Sequence, residues 1–448
     1  MANVLFLTQV LPYPLNSGAK IRAYYVLRQL ARRHAVTLVS FVRDDDAPEA
    51  VAHLRTLCAS VHTVPMRRSP LRDAWAMVKA GLTRHSIIIL RDEVAGMTRL
   101  LRRLVRTTPF DLVHADQTSM VQYALKARRL SAPGPRRPRL VLDAHNALYR
   151  IPERMAAVQH NPLKRWAYHR EARVLRRYEA EAYRRFDHVV FVTEVDRQEL
   201  LPVASRQAPA SAPQPLPQVK HGGVSPAKRG EETDNWQLTT SVIPICVDPT
   251  AQPLIARAPH PSTIVHVGTM FWPPNVEGVL WFAREVFPLV LAQVPGTRFV
   301  IVGKNPPPAI AELAAAEPNI LVTGYVPDPA PYLAEAAVSI VPLHAGGGMR
   351  VKIVDAWCWG IPLASTTVGA EGIDVRDGEN ILIADEPQAL AGAIARVLRD
   401  PAFGERMRAN GRAWVEAQYD WRRIYPAWDA VYDRLLTQAR QDAKAAAR

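Results

Sequence analysis

Short runs rich in β-branched residues alternate along the whole chain with longer segments of helical periodicity, and this syntax restricts the fold to parallel sheets covered by helices on both faces. VLFLTQV near the N-terminus is followed by Ala19 to Arg33, whose apolar residues recur at spacings of three and four, and then by AVTLVSFV. Asp111-Leu112-Val113-His114, LVLDAHN and HVVFVTE continue the pattern. A second alternation begins at TIVHVGTM and runs through a helix from about Asn275 to Gln293, TRFVIVGK, NILVTGYV, a helix around Tyr332, VSIVPLH, a helix from Arg350 to Trp359, and PLAST. The fold class predicted is α/β, with two similar doubly wound domains facing across a cleft. Open parallel sheets bind ligands beyond the carboxyl ends of their strands, so the cleft is where function is expected.

Residues 202–233 interrupt the alternation with six prolines among Ala, Ser, Gln and Gly. They lack the apolar material and periodicity needed to pack, and read as a disordered insertion decorating the first domain. The expected domains are therefore 1–250, 251–416, and 417–448 as a C-terminal helix packing back on the first domain, with the boundary in the stretch from Asp248 to Pro261. Trp414, Tyr419, Trp421, Tyr425 and Trp428 are spaced for core or interdomain packing.

The 448 residues are 48% hydrophobic and 22% charged, the balance of a soluble globular protein with two or more cores. No apolar stretch approaches the roughly 18–20 residues that cross a bilayer, and the opening MANVLFL lacks a basic flank and a cleavage site. It reads as a first buried strand, and a cytoplasmic location is expected. Cys58, Cys246 and Cys358 are far apart and without a CxxC partner, so buried reduced thiols are expected. The net charge of +14 favours contact with anions. Basic residues are densest between Arg99 and Arg139, forming either a solvated surface or a peripheral contact with the anionic inner face of a membrane. Without a recognisable reading module, nucleic acid is not expected as a partner.

The most informative stretch is VSIVPLHAGGGMRVKIVDAWCWGIPLAST, residues 338–366. A strand ends at His344, Gly346, Gly347 and Gly348 permit a tight turn, and a helix starts near Arg350. Helix starts expose unpaired N–H groups that attract anions, and glycines let an anion come close. Arg350 and Lys352 add positive charge where it opposes the helix dipole, which is unfavourable until an anion, naturally a diphosphate, sits between them. Lys352, Asp355 and Trp359 share one face, and Asp355 is placed to accept hydrogen bonds from ribose hydroxyls. A solvated helix carrying a local Lys–Asp pair is the alternative. Neither the Walker spacing nor GxGxxG is present.

With these residues the sequence resembles the family-4 retaining glycosyltransferases, glycosyl transferases group 1, of bacterial polysaccharide type. The resemblance is carried by LPYPLNSGAKIRAYYVLRQLARRHAVTLVSF, VTEVDRQEL, IPICVD, GTMFWPPN, VGKNP, GYVPDPAPYLAEAAVSIVPL and VGAEGIDVRDGENILIAD, in the family's order and spacing. It implies the GT-B fold of two Rossmann-like domains, an acceptor-side first and a nucleotide-sugar-binding second, with Gly18 in a loop near the donor phosphates. Backbone groups around Tyr325 and Val326 would read the base, Gly347 and Gly348 would hold the diphosphate, and Asp355 the ribose. His145, in LVLDAHNAL, would project near the reacting carbon; a structural histidine is the alternative. His114, Asp116 and Asp143 are further candidates for the acceptor side.

Two departures from the family pattern stand out. Asp355 occupies the second position of the usual Glu-x7-Glu motif, but Gly347 occupies the first. The loop GTMFWPPNVEG lacks the phosphate-binding Arg and Lys of many members, a charge that Arg350 and Lys352 could supply instead. Asp44-Asp45-Asp46 reads as a surface loop, since a hard cation needs converging oxygens.

The resemblance implies a metal-independent hexosyltransferase without a cofactor. It would move a sugar from a nucleotide-diphosphate donor to a glycan or lipid-linked glycan in cell-surface polysaccharide synthesis. His145, Arg350 and Lys352 would be its catalytic residues. A nucleotide-sugar epimerase and a catalytically silent sugar-binding scaffold are the competing readings, the latter raised by the missing first Glu.

Overall fold

The computed structural model describes residues 1–446 except 45, 68, 84, 133–136, 160, 206–238, 259–260 and 271. Seven strands form the first sheet: β1 (Asn3–Thr8), β2 (Ala35–Val42), β3 (Ser60–Pro65), β4 (Leu112–Asp116), β5 (Arg139–Ala144), β6 (His188–Phe191) and β7 (Thr240–Val242), in the order β3-β2-β1-β4-β5-β6-β7. Six form the second: β8 (Thr263–Val267), β9 (Arg298–Val302), β10 (Ile320–Gly324), β11 (Ala336–Val341), β12 (Leu363–Ser365) and β13 (Leu382–Ile383), in the order β10-β9-β8-β11-β12-β13. All pairings within both sheets are parallel.

The reason lies in the strands themselves. Every residue of β4 is buried, as is every residue of β11, and a strand buried on both faces needs helical cover on both. In each sheet the strand order reverses at the first strand, opening a crevice between the carboxyl ends of β1 and β4, and of β8 and β11.

The helix expected from Asn275 to Gln293 is present, entered from Pro273 and carrying a π turn at Phe282–Val286. Residues 202–205 correct the proposed insertion at its start, because they complete the Glu194–Ser205 helix; the remainder of 202–233 lies outside the described residues. Asp45 also lies outside them, while Asp46 braces its loop by accepting from the Arg43 backbone N–H at 2.9 Å and pairing with Lys20 at 3.3 Å. The three cysteines are free and buried.

The chain end ties the domains together. Helix Pro401–Gln418 packs on helix Val351–Trp359 of the second domain, and helix Pro426–Ala446 then lies along helix Gly18–Leu30 of the first. Gln29 donates to Asp429 at 2.9 Å, and Arg33 grips Asp433 at 3.0 and 3.2 Å. Tyr419 is buried beside Trp357 of the second domain, and Trp421, Tyr425 and Trp428 are buried against Tyr25, Arg22 and His114 of the first. Each such ring withdraws enough apolar surface to favour docking by roughly 2–3 kcal/mol.

Candidate active site

Two loops meet across the cleft. One follows β5 and carries His145 and Asn146; the other follows β11 and carries Gly346–Gly348 before helix Val351–Trp359. Gly348 has φ of +71°, and a Cβ there would stand 2.8 Å from Asn146 Cβ and 2.9 Å from the His145 carbonyl oxygen. Both its backbone conformation and its close approach therefore require glycine. Gly18 does the same from the first helix, where a Cβ would come within 2.8 Å of Val351 Cγ2. Gly347 lies beside the Ala147 carbonyl, Arg150 and Ile151 at ordinary contact distances.

His145 sits at the end of a buried charged chain. Its Nε2 is 2.9 Å from Asp116 Oδ1 and 3.6 Å from Asp143 Oδ2, and its side chain is only 10% exposed. Burial opposes the imidazolium, but the two carboxylates outweigh it and raise its pKa to about 9. Asp143 in turn receives Arg22 Nε and a terminal guanidinium nitrogen at 2.9 and 3.0 Å. Despite complete burial, Arg22 and His145 hold the Asp143 carboxyl well below its usual range. His114, Asp116 and Asp143 present ligand atoms within 4.8 Å of one another, but Arg22 and His145 already supply these carboxylates with counter-charge. His114 corrects the acceptor-side expectation: it stacks on Phe6, bonds Tyr432 through Nδ1 at 2.8 Å, and is fully buried. Burial drives its pKa down to about 3, so it is a neutral part of the core.

On the other side, Lys352, Asp355 and Trp359 are the half-buried stripe of a helix whose remaining residues are buried, matching the expected common face. Lys352 reaches back to the loop after β8. Its Nζ donates to Asn275 Oδ1 at 3.0 Å, and a Cβ on Gly268 would meet His266 Nε2 and Lys352 Nζ at 2.9 Å and Asn275 Nδ2 at 3.0 Å. The loop that lacks its own Arg and Lys thus receives a cation from the next crossover. Burial and the Arg350 charge lower the Lys352 pKa to about 7. Burial raises that of Asp355 to about 7, opposed by a hydrogen bond from Gln252, and Asp355 Oδ1 has no partner among the described residues.

Arg350 is the N-cap residue of this helix and is itself buried. Its guanidinium folds back to donate to the carbonyls of Gly347, at 2.7 Å, and Gly348, bracing the loop from within. Tyr325 and Val326 follow β10, Tyr325 exposed and Val326 half-buried. Three inter-strand steps, about 14 Å, separate β10 from β11, a span on the scale of a nucleotide.

Sequence reasoning missed four contributors. Arg22 joins Asp143 from a sequence separation of 121, and Arg154 bonds Glu371 bidentately across the cleft at 2.6 Å for both contacts. Asn275 faces Lys352. Arg22, Asn275 and Glu371 lie within segments that carry the resemblance, whereas Arg154 carried no signal.

The two sheets, their strand order and the facing loops define a protein of the GT-B class. Residues 17–211 match the glycosyl transferase 4-like domain and residues 261–400 match glycosyl transferases group 1. The chain belongs to the group 1 glycosyltransferases. Among solved structures, sucrose-phosphate synthase (tll1590) from Thermosynechococcus elongatus is similar with a TM-score of 0.67 and 16% identity, covering 97% of this chain and 100% of that one. Anabaena Alr3699/HepE, crystallised in complex with UDP and glucose, has a TM-score of 0.63, 16% identity and the same coverage. Likeness at this identity establishes the fold. The Staphylococcus aureus capsular polysaccharide biosynthesis glycosyltransferase CapM is 26% identical over 124 residues, 27% of this chain and 32% of CapM. The chain matches less than half the length of such curated relatives.

Proposed function

We propose that the protein transfers a hexosyl group, with retention of anomeric configuration, from a nucleotide-diphosphate sugar to a glycan or lipid-linked glycan acceptor in cell-surface polysaccharide synthesis. The observation that carries this reading is the approach of Gly348 to the His145 carbonyl, which brings the loop bearing a buried, carboxylate-paired histidine against the glycine loop that precedes Lys352. The company of HepE, with its UDP and glucose, and of CapM, with its capsular role, supports the donor and product classes.

In this reading the diphosphate lies against the glycine-loop amides and Lys352. The ribose meets Asp355, and the base lies along Tyr325 and Val326. Negative charge grows on the leaving diphosphate as the glycosidic bond breaks, and groups already aimed there lower the barrier because they need no reorganisation. Arg350 acts by holding the loop carbonyls inward, which turns the loop amides toward the anion, and by adding its charge from behind. His145 has Nε2 engaged by Asp116 and Asp143, and its Nδ1 edge serves the donor sugar. The acceptor hydroxyl passes its proton toward the departing phosphate, so no separate base and no metal ion enter the step.

Incubation with a panel of nucleotide sugars, with and without a chelator, tests this by release of nucleoside diphosphate. Release from one donor class, unaffected by chelator and reduced about 100-fold by Lys352→Met, is the expected result. Donor binding without release across acceptors would instead support the sugar-binding scaffold that Gly347, in place of Glu, raises.

A further inference from the structure

Helix Pro70–Thr83 is turned inside out. Its small residues Ala76 and Ala80 face the domain at 1% and 0% exposure, while Leu71, Trp75, Val78 and Leu82, spaced by four, three and four, point outward at 85%, 61%, 63% and 81%. A surface helix ordinarily buries its large apolar side chains. Four of them aligned on the solvent face mark an interaction surface.

A second exposed apolar pair stands on a helix joined to this one. Leu163 and Trp166, at the start of helix Pro162–Tyr183, are 73% and 64% exposed, and between them stand the exposed cations Lys164 and Arg165. Arg170, on the same side of that helix, donates to the Ala80 carbonyl and so joins the two helices. Cations also flank the first group. Lys79 Nζ lies 4.9 Å from the Trp75 ring centroid, and Arg99 and Lys126 line the crevice beside Trp75. Glu93, the acid in that crevice, is taken by Lys79 and Lys126 at 3.0 and 3.4 Å. Large apolar side chains ringed by Lys and Arg are the composition of an element that lies in the headgroup region of an anionic bilayer. A second copy of a chain of net charge +14 would bring these cations against their own equivalents.

We propose that this face docks on an anionic lipid bilayer. Leu71, Trp75, Val78 and Leu82 sink among the acyl chains, and Lys79, Arg99, Lys126, Lys164 and Arg165 meet lipid phosphates. Helix Pro70–Thr83 packs on the next helix, Ile87–Arg91, after which Asp92 accepts from Gln9 just past the carboxyl end of β1, the end of the sheet on which the cleft opens. Docking there presents a membrane-held acceptor to the site. The inference deepens the lipid-linked reading of the acceptor and rests on it.

Co-sedimentation of the full chain with vesicles at physiological ionic strength tests it, comparing phosphatidylcholine alone with phosphatidylcholine containing phosphatidylglycerol. The native protein is expected to bind only the anionic vesicles. The triple variant Leu71→Ser, Trp75→Ser, Leu82→Ser, with unchanged melting temperature and UDP affinity, is expected to lose about tenfold or more of that binding. Lys164→Glu with Arg165→Glu also weakens it, as does added salt. Native protein that ignores anionic vesicles overturns the proposal. So does a triple variant that binds as well as the native chain, although lipid contact itself would then stand on another surface. A dimer that the triple variant dissolves would assign the face to a second copy and likewise overturn it. Failure of the glycosyltransferase reading shows separately, as absent UDP binding.

Discussion

Arg22 and Asp143 meet through two hydrogen bonds of 2.9 and 3.0 Å, with both side chains fully withdrawn from water. The pair links the first helix to the end of β5, and Arg22 also reaches the Pro244 carbonyl at 2.5 Å and the Tyr425 hydroxyl at 3.3 Å. It therefore ties the His145 loop to the segment that bridges the domains. Removing one partner of a buried ion pair leaves an uncompensated charge, and Arg22→Met is expected to cost about 3–5 kcal/mol of unfolding free energy. Urea denaturation measures this as a lower midpoint at constant slope. Because the partners share one network, Arg22→Met combined with Asp143→Asn should cost less than the sum of the two single changes.

The contrast between neighbouring glycines tests the closed contact. Gly348→Ala places a Cβ against Asn146 and the His145 carbonyl at a φ of +71°, whereas Gly347→Ala meets nothing closer than 3.7 Å. Gly348→Ala is expected to lower donor turnover by about 100-fold or more while costing roughly 1–3 kcal/mol of stability. Gly347→Ala should retain turnover within a few-fold. Equal turnover in both variants would show that the contact has no part in the reaction.

The stability of the protein should carry the signature of His145. Its folded pKa of about 9 lies above the ordinary 6.5, so its stabilising contribution is complete below pH 6.5 and is lost as pH rises to about 9. Lys352, lowered to about 7 from 10.5, acts oppositely: the unfolded chain binds more protons between those values, and stability rises with pH. The comparison with His145→Gln isolates the histidine. Chemical denaturation at pH 6.5 and at pH 9.5 is expected to show the native protein losing on the order of 3 kcal/mol relative to the variant.

Lys352 predicts a pH profile for nucleotide binding. A diphosphate holds the ammonium protonated, while the free protein releases that proton above about 7. UDP affinity should then fall by up to about tenfold per pH unit above 7, and Lys352→Met should bind weakly with a flat profile. Calorimetric titration over this range measures both. An unchanged slope in Lys352→Met would place the titrating group elsewhere.

Much of the architecture was legible because a strand buried on both faces leaves a local trace: β1 and β11 are largely apolar runs within the chain. The shared face of Lys352, Asp355 and Trp359 followed from helical spacing alone. What stayed hidden depends on partners distant in sequence. No local pattern marks Arg22 as the counter-ion of Asp143, or Arg154 as that of Glu371, since helix spacing says nothing about what an arginine meets on a distant segment. Arg350 is the instructive case. A cation at a helix start fits an anion site, yet its guanidinium bends back onto the Gly347 and Gly348 carbonyls, a choice made by burial and loop geometry. Nothing in the sequence assigned a role to helix Pro70–Thr83, because which side of a helix faces inward is decided by packing, and here the inward side is alanine.

A crystal structure of the complex with UDP tests the central claim most directly. The diphosphate is expected within hydrogen-bonding distance of Lys352 Nζ and the amides of the Gly346–Gly348 loop, with the ribose hydroxyls on Asp355 and His145 facing the open side of the β-phosphate. UDP seated away from helix Val351–Trp359, or bound with Lys352 still facing Asn275 and no phosphate contact, would contradict it.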